Sequence, residues 1–274
     1  MGLLEDIRFP QRLSDGSAVS SRIQINSGTI VASSCSRIEK KYTSWARIPK
    51  SKWRALSVDE ELSLISYKDN DETDVQLIRF PERVVGNIRV TKSSETATYK
   101  TKEAFSTLTT SKEYLAHLSE LENYIKQYGT ITKKALVCTN YPRLITTTTD
   151  DSKSMIGLHV DNWYRYPLSR RDKSPKRICI NVGTDPRYLL LLNVRVNKMF
   201  DILERKGVKL HPSQVGTPLA LAFMNEFPDY PVLRLRIEPE EGYIAPTENI
   251  VHDGSTIDMQ SWDVAVHILG HFMM

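Results

Sequence analysis

Three side chains in this 274-residue sequence could share one metal ion: His159 and Asp161, two residues apart, and His252, far along the chain. Residues two apart in a β-strand point to the same side. A strand over 154–162 therefore offers an imidazole and a carboxylate to one point in space. A second strand, over 243–252, brings the other imidazole to the same place. Two histidines and one carboxylate leave positions open on the opposite face of an ion. That ligand set suits a non-haem Fe(II) centre that must also take a co-substrate and oxygen.

Elements of suitable type and spacing surround these residues. Strand-sized segments rich in leucine or β-branched residues fall at 135–138, 144–149, 154–162, 177–182 and 188–194. Further ones follow at 233–238, where Leu233, Leu235 and Ile237 alternate with charged residues, at 243–252, and at 263–272. Helices are expected at 111–128 and 196–206, and a Ser57-x-x-Glu60 capping box marks another from Val58. Thr110-x-x-Glu113 reads as a capping box for the 111–128 helix, with Gly129 as its stop. Residues 211–218 read as a Pro/Gly-broken loop, and the Thr-, Ser- and Lys-rich 91–104 stretch suggests no element. Short strands at near-regular spacing argue for a mainly β fold, a double-stranded β-helix (jelly roll, cupin-like) with flanking α-helices. We expect one domain over 1–274: flanking strands and helices in 1–130 and a jelly-roll catalytic core in 131–274.

On these residues the chain resembles the Fe(II)/2-oxoglutarate-dependent dioxygenases, whose jelly-roll core carries an HxD…H iron triad. The resemblance covers about half the chain, 135–272, and implies that His159, Asp161 and His252 are the iron ligands. It also implies Fe(II), 2-oxoglutarate as co-substrate, O2, and hydroxylation, desaturation or cyclisation of a small molecule such as an amino acid or natural-product intermediate. The sequence departs from the family in one respect: no Lys or Arg follows His252. A dianion held in a barrel needs a cationic partner. The strand after the HxD motif, as in some branches of the superfamily, supplies Arg177 as first choice, with Asn181 and Arg187 further candidates; Ser255 or Thr256 adds a hydroxyl. Thr247 and Asn249 are candidates to support the metal ligands from behind. Two other readings stand beside this one: a cupin-like metal enzyme that does not use 2-oxoglutarate, and a jelly-roll binding module without chemistry.

The bulk numbers exclude little else. The formal charge is +4, with basic residues dispersed, which disfavours a nucleic-acid partner. The densest basic run, 170–177, reads as a solvated loop. Three scattered cysteines without a CxxC pair fit buried free thiols in a reducing cytosol, and no apolar run approaches a membrane span. A cytoplasmic location is expected. Trp163, Tyr164 and Tyr166 read as rim or core aromatics and His267 as a core histidine. The sequence does not speak to oligomeric state.

Overall fold

Both faces of the strand Arg187–Arg195 are covered, and its Leu189-Leu190-Leu191-Leu192 run is accordingly buried throughout. Leu189 and Leu191 point into one apolar cluster, Leu190, Leu192 and Val194 into another. The rest of the chain is arranged around this layering. The computed structural model describes residues 3–13, 16–35, 41–67, 73–89, 109–211 and 215–273, so the 91–104 stretch lies outside it.

Strands in chain order are β1 (Phe9–Pro10), β2 (Ile23–Ile25), β3 (Thr29–Val31), β4 (Tyr42–Pro49), β5 (Arg54–Ala55), β6 (Ile65–Ser66), β7 (Gln76–Arg79) and β8 (Gly129–Asn140). They continue with β9 (Met155–Gly157), β10 (Lys176–Asn181), β11 (Arg187–Arg195), β12 (Leu233–Ile237), β13 (Glu241–Ala245), β14 (Ile250–Ser255) and β15 (Asp263–Phe272). The α-helices are α1 (Val58–Leu64), α2 (Glu82–Val85), α3 (Lys112–Ile125), α4 (Val196–Arg205) and α5 (Thr217–Glu226).

Two five-stranded antiparallel sheets dominate, one ordered β7-β13-β10-β15-β8 and the other β14-β11-β12-β2-β5. One apolar cluster joins Cys179, Tyr243 and Ala265 of the first sheet to Leu189, Leu191, Leu235 and Ile250 of the second, so it fills the space between them. The outer face of the first sheet packs on α3 through Tyr114, Leu118, Leu121 and Ile125, and that of the second on α4 and α5. The fold is mainly β, with helices flanking its sheets. The N-terminal strands are woven into it: β7 extends the first sheet and β2 and β5 the second.

Several local expectations change. Helix α3 is capped by Ser111, whose hydroxyl accepts from the Tyr114 N–H, one residue later than the Thr110 box. Residues 144–149 form no strand, because the N–H groups of Thr147 and Thr148 donate to the Asp253 carboxylate. The expected 243–252 strand is two strands, β13 and β14, separated by the 246–249 turn. Thr217 and Pro218, read as the end of a loop, instead open α5. At α1 the capping box is complete: the Ser57 hydroxyl accepts from Glu60 N–H, and the Glu60 carboxylate accepts from Ser57 N–H at 2.8 Å. Ser57→Ala should cost about 1 kcal/mol, read as a fall of roughly 2–4 °C in Tm. An unchanged Tm would show that α1 is held by packing alone.

Candidate metal centre

The three ligand candidates are brought together by backbone pairing between segments far apart in sequence. His252 lies in the middle of β14, on the inner side shared with Ile250, while Val251 faces the helices. His159 pairs with it across an isolated bridge, its N–H donating to the His252 carbonyl at 3.1 Å and its carbonyl accepting from the His252 N–H at 2.8 Å. The two rings stand 4.7 Å apart between centroids. The expected continuous 154–162 strand is broken here. It ends at Gly157, whose φ of +69° turns the chain, and a Cβ at that position would meet the Arg47 carbonyl at 2.4 Å.

That turn has a chemical use. The Gly157 carbonyl lies 3.0 Å from His159 Nδ1, and the Ile250 carbonyl 3.3 Å from His252 Nδ1. A carbonyl only accepts, so each Nδ1 carries a proton, and in the neutral ring Nε2 is left to present its lone pair inward. Asp161 meets them there. Its Oδ1 is 3.6 Å from His159 Nε2 and its Oδ2 is 3.5 Å from His252 Nε2. Donor atoms of the three residues all lie within 4.8 Å of one another, and all three side chains are buried. Two donors about 2.1 Å from one ion stand roughly 3 Å apart, so small side-chain rotations close the set around a divalent metal. Two imidazole nitrogens and a carboxylate suit a first-row divalent ion. The residues therefore fit a facial triad.

Electrostatics in the metal-free protein agree with a cation site. Burial opposes charge on Asp161, yet Arg177 and His252 hold its carboxyl well below the usual range. Burial likewise opposes a charged His159, but Asp161 and Asp253 outweigh it and push its pKa up to about 10. Burial pushes His252 down. The metal-free site thus keeps a proton on His159 that an incoming ion displaces.

The surroundings position each ligand. Asp253 Oδ1 accepts from the N–H and hydroxyl groups of Thr147 and Thr148, and its Oδ2 sits 3.6 Å from His159 Nδ1. The Asp161 N–H donates to the Thr247 carbonyl at 3.1 Å, and Arg171 Nη1 donates to the carbonyl of Asp161 at 3.1 Å and of Glu248 at 3.0 Å. Arg171 is fully buried and Arg177 is 14% exposed, while Arg170, Asp172 and Lys173 face solvent, which corrects the reading of 170–177 as a solvated loop for its two inward arginines. A basic run carries no sign of which members turn inward, so sequence reasoning missed Arg171. Asp253 was visible only as the neighbour of His252.

A cavity of about 410 Å³ opens beside His159 and Asp161. His159, Asp161, Arg177, Arg187 and His267 line its floor, and Trp163, Lys133 and Lys134 are on its wall. Arg177 Nη2 donates to Asp161 Oδ2 at 2.6 Å, and its Nη1 meets His267 Nδ1 at 3.2 Å. Arg187 lies 3.5 Å from Asp263 and 3.4 Å from the Cys179 sulfur. Among the described residues the Nε atoms of both arginines and Nε2 of His267 are buried without a hydrogen-bond partner. His267, read as a satisfied core histidine, instead faces the cavity with one nitrogen unsatisfied.

Two candidates lie elsewhere. Asn181 shares the inner face with Arg177, but four residues of strand carry it about 13 Å along. There its Nδ2 donates to the Asp185 and Ile237 carbonyls and its Oδ1 accepts from Gly183 N–H. Ser255 is an odd number of residues from His252 and points to the other face, donating to the Leu144 carbonyl at 3.1 Å. It lines a separate hollow with Arg143 and Arg234. Trp163 is 58% exposed at the rim, with the Lys133 ammonium 4.5 Å over its ring. The cysteines are free, and among the described residues no helix is long and apolar enough to cross a membrane. No protein-family model matches the chain and no curated protein aligns with it.

Proposed function

We propose that this protein is an Fe(II)- and 2-oxoglutarate-dependent oxygenase that hydroxylates, desaturates or cyclises a small molecule. One observation carries the reading: two inward Nε2 atoms and one carboxylate converge beside a cavity that is lined by two of these residues, His159 and Asp161, together with the guanidinium groups of Arg177 and Arg187. The order in which strands enter the sheets supports a jelly-roll core. β8 joins the first sheet, the His159 bridge the second, β10 the first, β11 and β12 the second, β13 the first, β14 the second and β15 the first.

In this reading His159, Asp161 and His252 hold the iron. When bound, the ion supplies oxygen activation coupled to decarboxylation of 2-oxoglutarate. The chain's share is placement and exclusion of water. Gly157 and Ile250 carbonyls fix the imidazole tautomers, and Asp253 holds the 147–148 turn against His159. With Arg177 committed to Asp161, the cation for the far carboxylate of the co-substrate is Arg187. It is 3% exposed, on the cavity wall, and keeps an unsatisfied Nε. Gly254 makes room for it, since a Cβ there would meet Arg187 Nη2 at 2.8 Å.

A second reading, a cupin-like metal enzyme that uses no 2-oxoglutarate, is favoured by the same commitment of Arg177 and by the lack of any Lys or Arg after His252. Anaerobic titration of the metal-free protein with Fe(II) and then 2-oxoglutarate separates them. The expected result is a weak visible charge-transfer band that needs both additions. Iron binding without the band selects the second reading. If no divalent metal binds, both fail and a non-catalytic binding module remains.

A further inference from the structure

We infer that Arg177 is a positioning residue that holds Asp161 to one-oxygen coordination and weakens the site's grip on its metal, keeping a coordination position open. The inference rests on the metal-site reading above. An ionised carboxylate has two equivalent oxygens and can chelate an ion through both. Here they are not equivalent. Oδ2, 3.5 Å from His252 Nε2, also accepts a 2.6 Å charge-assisted bond from Arg177 Nη2, while Oδ1 faces His159 Nε2 at 3.6 Å.

The clamp is itself braced. Arg177 is only 14% exposed, its Nη1 meets His267 Nδ1 at 3.2 Å, and β10 is hydrogen-bonded on both sides, to β13 and β15. Swinging Oδ2 round to an ion means breaking a buried ion pair and leaving the guanidinium unanswered. Asp161 therefore meets an ion through Oδ1, and the position a chelating carboxylate fills stays available to a second ligand. The same bond drains basicity from the carboxylate and sets a positive charge beside a dication, and both effects loosen metal binding.

This gives a sign that no merely structural role shares. Arg177→Gln should bind Co(II) more tightly than the parent by about tenfold or more, because a repelling charge and a competing donor are gone. In the same variant, loaded with Co(II), affinity for 2-oxoglutarate should fall by at least about tenfold as the freed carboxylate takes the second position. Arg177→Lys keeps the charge and one donor and should move both affinities back toward the parent. A damaged fold weakens both ligands together, and weaker or unchanged Co(II) binding in the Gln variant overturns the proposal. A second measurement avoids variants altogether. With [13C]aspartate in the parent protein, infrared difference spectra between Co(II)-bound and metal-free forms should show the wide carboxylate splitting of one-oxygen coordination. The narrow splitting of a chelate overturns the clamp. A parent protein that binds no Co(II) overturns the metal-site reading itself.

Discussion

His252→Ala should abolish turnover and weaken Fe(II) binding by well over a hundredfold while leaving the protein folded. Partners behind a metal ligand are worth about 10- to 100-fold in affinity, so loss of a ligand must exceed that. The fold is expected to survive because His252 contributes to β14 mainly through its backbone: its N–H and C=O are both bonded to His159 whatever the side chain. His159→Ala should behave alike. Asp161→Asn is the less clear experiment, because it also strips Arg177 of its counter-charge. The measurement is a metal titration beside a thermal melt. Retained turnover in either histidine variant sinks the triad assignment, whatever the metal affinity shows.

Gly157→Ala should be strongly damaging for a change of one methyl group. Its φ of +69° costs a residue with a Cβ about 1–2 kcal/mol. The new methyl would also meet the Arg47 backbone carbonyl at 2.4 Å, forcing β4 and β9 apart where Arg47 pairs with Gly157. Together these amount to about 3 kcal/mol, or roughly 6–12 °C in Tm. Gly207→Ala is the control: its φ is +83°, yet nothing lies within 4 Å of the added methyl, so only the backbone term remains. Because the Gly157 carbonyl orients His159, the variant should lose metal affinity as well. Equal Tm losses at 157 and 207 would falsify the steric argument.

What could be read from the residues was what repeats or what has a type. The alternation of Leu233, Leu235 and Ile237, the two faces of 263–272 and, apart from the exposed Leu115, the Tyr114, Leu118, Leu121 and Ile125 stripe of α3 appear where the periodicities put them. The triad was legible for a different reason: imidazole and carboxylate are rare at one point of an inner sheet face. The losses share a cause as well. Residues 144–149 have strand composition, but an acid at 253 takes their N–H groups. Thr217-Pro218 looks like a helix breaker, yet a proline in the first turn gives up only an N–H that has no helical partner. Arg177 was read as a co-substrate anchor, and the structure shows it bonded to Asp161. Strand parity decides which face a side chain takes, whereas the bond it makes there depends on the register of β10 against a loop.

The weave of the N-terminal strands has a consequence for how the chain is made. β2 pairs with β12, Gln24 opposite Arg234, and β7 pairs with β13, Leu77 opposite Tyr243. Arg195 reaches back to Asp6 and Asp74. On the ribosome β2 can pair early with β5, but β12 and β13, which flank β2 and β7 in the finished sheets, emerge more than 150 residues after them. Their apolar sides, Ile23, Ile25 and Leu77, stay open to other chains for that interval. Long-range pairing of this kind slows folding. Yield in a cell should therefore respond to translation speed and to holdase chaperones more than to the stability of the finished protein.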